Sequence, residues 1–196
     1  MAPHILIPVR PFAEGKSRLA AVLGDGEREA LNRRFFDHVF GLACRVATPA
    51  HCAVVSHAPQ IRNLAERAGA RAIVEAATGL NDALTQAAAV MPADAPLLVL
   101  STDLPWLSEA DIAAMIMAGT RAEIAIAPDQ ERSGTNALLL GRAGLIPFLY
   151  GPGSLAAHEA AAVSAGLSIV RVERPGLAMD IDTSDQLAAL SDRDRA

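Results

Sequence analysis

Asp103 ends the apolar run Leu97–Leu100 in the stretch LLVLSTDLPWL, Leu97–Leu107. Four large aliphatics in a row read as a strand buried on both faces, as in the centre of a parallel sheet. Open α/β sheets hold their ligands outside the carboxyl ends of such strands, so a carboxylate at Asp103 stands where chemistry is done, or it braces the turn. A second acidic set, Asp180-Ile181-Asp182, alternates along an extended segment and turns both carboxylates to one side. Aspartates with no His or Cys cluster beside them suit a hard, oxygen-seeking cation such as magnesium, and helix capping ahead of Thr183 is the competing use. The loop Arg10–Arg18 carries Arg10, Lys16, Ser17 and Arg18 next to a helix start. Three cations so placed would cradle a polyphosphate, or form an ordinary solvated loop. Lys16 stands out as the only lysine against sixteen arginines. Finally, Ser133-Gly134-Thr135-Asn136 and Gly151-Pro152-Gly153-Ser154 offer hydroxyls and backbone N–H groups to an anion, or are plain turns. His158, four residues past Ser154 and on the same helix face, reads as a surface histidine.

None of these features is specific alone. Together they are the equipment for moving a nucleotidyl group: cations for a triphosphate, carboxylates for a metal, and a second anion site for an acceptor. Other chemistries lack their residues. There is no G-x-x-x-x-G-K-[ST] loop and no G-x-G-x-x-G, so neither P-loop hydrolysis nor dinucleotide binding has support. The phosphatase pattern D-x-D-x-[TV] fails because STDLP lacks the first aspartate. A net charge of −5 argues against nucleic acid as a partner.

The elements that must position these residues follow from periodicity. Strands are expected at His4–Val9, Cys52–Ser56, Arg71–Val74, Leu97–Ser101, Glu123–Ala127, Thr135–Leu140 and Ser168–Val172. Helices are expected from Ser17 (as cap), over Glu27–Val46, Pro59 to Gly69, Leu80–Met91, Ser108–Ala118, Leu145–Tyr150, from Ser154 (as cap) to Ala165, and after Thr183. Thr78-Gly79 reads as a turn. Such alternation predicts an α/β, three-layer fold: a mostly parallel sheet with helices on both faces. The 196 residues suit one domain, 1–196, with a charged tail of about 192–196 that frays. Hydrophobic residues make up 52% and aromatics only 4%, so the core is Ala, Leu, Val and Ile. No apolar run approaches the ~20 residues that cross a membrane, and the first residues lack a basic leader. Cys44 and Cys52 match no metal or redox spacing; buried, reduced thiols fit a cytoplasmic protein. A homodimer is compatible with the sequence, although no unusually apolar helix demands a partner.

Five blocks carry a resemblance: Pro8–Ala20 (PVRPFAEGKSRLA), Ser101–Leu107 (STDLPWL), Ala127–Leu140 (APDQERSGTNALLL), Gly151–His158 (GPGSLAAH) and Met179–Leu187 (MDIDTSDQL). In order and extent the set resembles the CofC/FbiD family, the guanylyltransferases of deazaflavin coenzyme F(420) biosynthesis. The resemblance implies a Rossmann-like nucleotidyltransferase fold of the nucleotide-diphospho-sugar-transferase type. It also implies a reaction of GTP with 2-phospho-L-lactate, phosphoenolpyruvate or 3-phospho-D-glycerate, giving a GDP-linked acid and pyrophosphate. By position, Asp103, Asp180 and Asp182 match magnesium-binding aspartates, and Thr135, Gly151 and Ser154 match acceptor-binding positions. The loop with Arg10, Lys16, Ser17 and Arg18 matches the nucleotide-phosphate region, with Asp103, Lys16 and Arg10 as the expected catalytic groups. Asn81, in GLNDAL, matches a block lining the nucleotide pocket. Arg10 stands where the family often has Lys, which keeps the charge and adds a bidentate fork. Trp106 stands where a smaller residue is common. Two other readings are a nucleotidyltransferase of the same fold acting on a sugar phosphate or molybdenum cofactor, and a non-catalytic nucleotide-binding protein. The first is weakened because the G-x-[GS]-x-R loop is missing after the first strand.

Overall fold

Short runs of Val, Ile, Leu and Ala become strands wherever sheet neighbours cover both faces. The computed structural model describes residues 2–76 and 79–193. In chain order the elements are β1 (His4–Pro8), α1 (Asp25–Ala47), β2 (Cys52–Ser56), α2 (Pro59–Arg67), β3 (Arg71–Val74), α3 (Leu80–Ala88) and β4 (Leu97–Leu100). They continue as α4 (Glu109–Ala118), β5 (Ile124–Pro128), β6 (Thr135–Leu140), α5 (Ser154–Ser164), β7 (Ile169–Arg171), α6 (Pro175–Ala178) and α7 (Ser184–Arg193). A 3₁₀ turn, Ser17–Ala21, precedes α1.

The seven strands lie in the order β3-β2-β1-β4-β6-β5-β7. Every pairing is parallel except those of β6, which runs antiparallel to both β4 and β5. The fully buried strands β2, β4, β5 and β6 carry near-continuous apolar runs, as a sheet covered on both faces requires. Alternate side chains sort to opposite layers. Ile5, Ile7, Leu98 and Leu100 face α1, α2 and α4 through Phe36, Val39, Ile61 and Ile112. Leu6, Leu97 and Val99 face α3 and α5 through Leu84, Ala87 and Leu155. Each such leucine, fully buried, is worth about 2 kcal/mol. The three-layer α/β expectation therefore holds.

Four local expectations change. Leu145–Tyr150 is not helical, because Pro147 denies the segment a helical N–H and disfavours the helical conformation at the residue before it. Its backbone is satisfied by side chains instead: Leu149 N–H donates to His158 Nε2 at 2.9 Å and Tyr150 N–H to Asn81 Oδ1 at 2.8 Å. Ser17 does not cap its turn, since Lys16 occupies the cap position. Ser154 is the first helical residue of α5 rather than its cap, and Gly153, with φ 73, supplies the left-handed entry. His158 is not on the surface; it is fully buried. By contrast, Ser108 caps α4 as expected, with Asp111 completing a capping box. Thr183 caps α7: its hydroxyl accepts from Gln186 N–H while Gln186 Oε1 accepts from Thr183 N–H. Of the expected turn at 78–79, Thr78 lies outside the described residues; Gly79, with φ 125, sits at the cap of α3. The end of the tail, 194–196, is likewise outside them.

Candidate active site

The carboxyl end of β4 releases the chain at Ser101, whose N–H is held by Asn136 O at 3.0 Å. Asp103 follows in the loop before α4. Asp180 and Asp182 come to the same place from the segment between α6 and α7. Ile181 between them points the other way and is fully buried beside Leu19 and Phe35. One oxygen from each of the three aspartates lies within 4.8 Å of the others, close enough to share one metal ion. All-oxygen donors of this kind suit a hard divalent cation. Burial and the neighbouring charges of Asp103 and Asp182 push Asp180 up to about 6, the cost of crowding carboxylates without full solvation.

Lys16 partly neutralises that crowd. Its Nζ donates to Asp103 Oδ2 at 2.6 Å and to Asp182 Oδ1 at 2.9 Å, and its side chain is only 7% exposed. Burial disfavours its charge, but the two carboxylates outweigh burial and hold its pKa above the usual lysine value. The backbone at Lys16 is left-handed, φ 57, a conformation that a non-glycine residue adopts at a cost of order 1 kcal/mol. Arg18 reaches Asp182 more loosely, at 3.4 Å, and is 77% exposed. Arg10 is exposed and has no ion pair among the described residues. Arg10, Lys16, Ser17, Arg18, Asp103 and Asp182 all line one open cavity of about 770 Å³ that runs across the ends of β1, β2 and β4. The structure thus brings the cationic loop and the aspartates into one site, with Lys16 resting on the carboxylates.

The residues expected to bind a second anion gather at the start of β6. Because β6 runs antiparallel to β4, its first residue lies at the same sheet edge as the end of β4. Thr135 and Ser154 are buried, and Ser154 Oγ donates to Thr135 Oγ1 at 3.3 Å. His158 Nδ1 lies 3.1 Å from Thr135 Oγ1. Leu149 N–H can only donate, so His158 Nε2 must be the acceptor and Nδ1 must carry the proton. Thr135 Oγ1 can then accept from both His158 Nδ1–H and Ser154 Oγ–H. Burial pushes the His158 pKa down to about 4, which keeps this tautomer neutral. Gly151 is exposed with φ 140, so its peptide groups take an orientation other residues resist. Asn81 is committed at both ends of its amide to the backbone of Tyr150, at 3.0 and 2.8 Å, and so fixes the residue before Gly151.

Sequence reasoning missed the parts played by His158, Arg174, Asp111 and Asn136. His158 is the orienter just described; its spacing from Ser154 was the available signal. Arg174 pairs with Asp111, whose other oxygen accepts from Ser108 N–H and Oγ at 2.9 and 2.6 Å. This buried carboxylate ties α6, and with it the Asp180–Asp182 segment, to the head of α4. Burial alone would raise the Asp111 pKa, but Ser108 and Arg174 hold it below the ordinary value. Asn136 completes the tie by donating to Leu177 O and Ala178 O at 3.0 and 3.3 Å. Trp106 packs against the cluster of Leu19, Phe35, Ile181 and Leu190, behind the aspartates.

A parallel core with one reversed strand beside the carboxylate edge is the architecture of the nucleotidyltransferases. A cytidylyltransferase from Leptospira borgpetersenii serovar Hardjo-bovis shares it with a TM-score of 0.63 at 14% identity, over 97% of this chain and 85% of that one. Sequence narrows the class: residues 3–191 match the family described as guanylyl transferase CofC like, and the chain belongs to that family of enzymes. It is 39% identical over 190 residues to a phosphoenolpyruvate guanylyltransferase from Chloroflexus aggregans, covering 93% of this chain and 94% of that protein. A protein of the same name from Rubrobacter xylanophilus is 38% identical over 193 residues, covering 97% and 94%. Among the described residues, no helix is long and apolar enough to cross a membrane.

Proposed function

We propose that this chain transfers a guanylyl group from GTP to the phosphate of a small phosphorylated carboxylic acid, phosphoenolpyruvate first among the candidates, as a cytoplasmic step of coenzyme F(420) biosynthesis. The observation that carries the reading is the meeting of Asp103, Asp180 and Asp182 with the cation-lined cavity at the end of β4, beside which β6 starts with the Thr135–Ser154 hydroxyl pair. An acceptor phosphate oxygen attacks the α-phosphorus of GTP, the bond from that phosphorus to the bridging oxygen breaks, and pyrophosphate leaves. No general base is required, because a phosphate monoester with a second pKa of about 6 is largely dianionic at neutral pH.

The obstacle is repulsion between two polyanions. Asp103, Asp180 and Asp182 would hold magnesium, which when bound screens that repulsion and stabilises the leaving charge. Arg10 and Arg18 draw the β- and γ-phosphates into the cavity. Lys16, which lines the same cavity, would neutralise the same phosphates once the carboxylates held the metal. Thr135 donates its hydroxyl hydrogen to the acceptor at the start of β6. The relatives' name favours phosphoenolpyruvate over 2-phospho-L-lactate and 3-phospho-D-glycerate. The test is pyrophosphate release with GTP or ATP, magnesium and each of the three acids. GTP-dependent release with one acid is expected, and silence with all three would sink the assignment.

A further inference from the structure

The cavity extends well beyond the aspartates, to the ends of β2 and β3, and its far wall carries a carboxylate that neither the metal nor the phosphates need. We propose that Glu75 selects guanine by accepting hydrogen bonds from the base's N1–H and 2-amino group. This deepens the guanylyltransferase reading and rests on it for the identity of the nucleotide.

Glu75 is the first residue past β3. Its N–H still donates to Ser56 O of the neighbouring strand, at 3.2 Å, so the sheet fixes its backbone. Gln86 on α3 clamps the chain on both sides, donating to Val74 O at 2.8 Å and accepting from Ala76 N–H at 3.2 Å. The side chain is 19% exposed and lines the cavity. His57, at the end of β2, lies 3.3 Å from Glu75 Oε2 and 3.6 Å from Glu14 Oε1, which steadies one carboxylate oxygen. Oε1 of Glu75 accepts no hydrogen bond among the described residues. Leu80, 37% exposed, offers an apolar surface to the same cavity.

A carboxylate on a rigid backbone, in a cavity that also exposes a leucine, suits a flat ring with two adjacent donors on one edge. Guanine has them in N1–H and the 2-amino group. Adenine presents an acceptor at N1 and would be repelled, and hypoxanthine lacks the second donor. The distances also agree. Between β3 and β4 lie three interstrand steps of about 4.8 Å, so Glu75 stands roughly 14 Å from Asp103 across the strand ends. A nucleoside triphosphate lying across that edge spans this gap, with its base at Glu75 and its phosphates at Arg10 and the aspartates.

The experiment measures binding of GTP, ITP and XTP to the full chain in magnesium by calorimetry, alongside pyrophosphate release with the acids above. The wild type is expected to bind GTP about 10- to 100-fold more tightly than ITP, the effect of one hydrogen bond to a charged acceptor. Glu75→Gln should weaken GTP about 100-fold and invert the preference toward XTP, because the new amide donates to the xanthine O2. Glu75→Asp, which keeps the charge, should bind GTP less tightly yet still prefer it to XTP. Equal wild-type binding of GTP and ITP would overturn the proposal without any variant. Unchanged ratios in Glu75→Gln would overturn it as well. GTP-selective binding lost in Glu75→Gln, with no pyrophosphate released for any acid, would sustain Glu75 as the guanine reader and remove the transferase reading instead.

Discussion

Single side chains decide whether two polyanions can meet here. Asp103 holds Lys16 in this structure and is the one aspartate delivered by the central strand. Asp103→Asn keeps the shape and a weak acceptor, so the fold should survive while turnover falls at least ~10²–10³-fold, the usual effect of removing one electrostatic stabiliser. Pyrophosphate release and a melting curve check both halves; wild-type turnover would remove Asp103 from the site. His158 makes a prediction of the opposite kind, in stability rather than rate. Its pKa is about 4 in the folded chain, against about 6.5 in an unfolded one. Between those values the unfolded chain binds more protons, so this stabilisation is present above pH 6.5 and is lost as pH falls. From pH 7 to pH 5 the loss should be about 2 kcal/mol. Urea denaturation at both pH values should show it in the wild type and not in His158→Gln, which starts from a lower plateau. An equal slope in both proteins would mean that His158 is not held neutral.

At the scale of elements, the functional groups are placed by short ties between segments distant in sequence. The α6 turn is the clearest. Arg174 before it pairs with buried Asp111, Asn136 holds its carbonyls, and Gly176 lies so close to α4 that a Cβ there would meet the Asp111 carboxylate and Trp106 O, the latter at 2.6 Å. Gly176→Ala should therefore cost about 1–3 kcal/mol and lower Tm by several degrees. Because Asp180 and Asp182 follow directly, turnover of the folded variant should fall too; a thermal loss with full activity would show that α6 does not position the aspartates. This level was only partly legible in the sequence. The strands were, because a sheet covered on both faces writes continuous apolar runs at Leu97–Leu100 and Ala137–Leu140. The segment 145–150 was not, because its apolar residues suit a helix while Pro147 and the partners His158 and Asn81 decide otherwise. The aspartates and the basic loop stood out by residue type. That Lys16 rests on them could not be read, since its partners lie 87 and 166 residues away.

The whole molecule gathers three carboxylates and the cations of one loop at a single edge of its sheet. The chain carries a net charge of −5, yet the site sets three carboxylates around one buried ammonium. Lys16 serves as an internal counter-ion to Asp103 and Asp182; under the function proposed above a divalent cation would displace it, and that competition would be measurable as stability. A cation that binds the folded chain and not the unfolded one adds about 2.7 kcal/mol at a hundred times its Kd. For a chain of this size each kcal/mol raises Tm by roughly 2–4 °C, so saturating magnesium should raise Tm by about 5–10 °C. Lys16→Ala removes the competitor and leaves the carboxylates to repel one another. Its Tm without metal should be lower than that of the wild type, and its rise on adding magnesium should be larger and occur at lower metal concentration. Asp103→Asn should show little rise at all. A magnesium titration followed by differential scanning calorimetry measures the three together. Equal shifts in all three proteins would place the cation somewhere other than on these aspartates, and would return Lys16 to the role of a structural ion-pair partner.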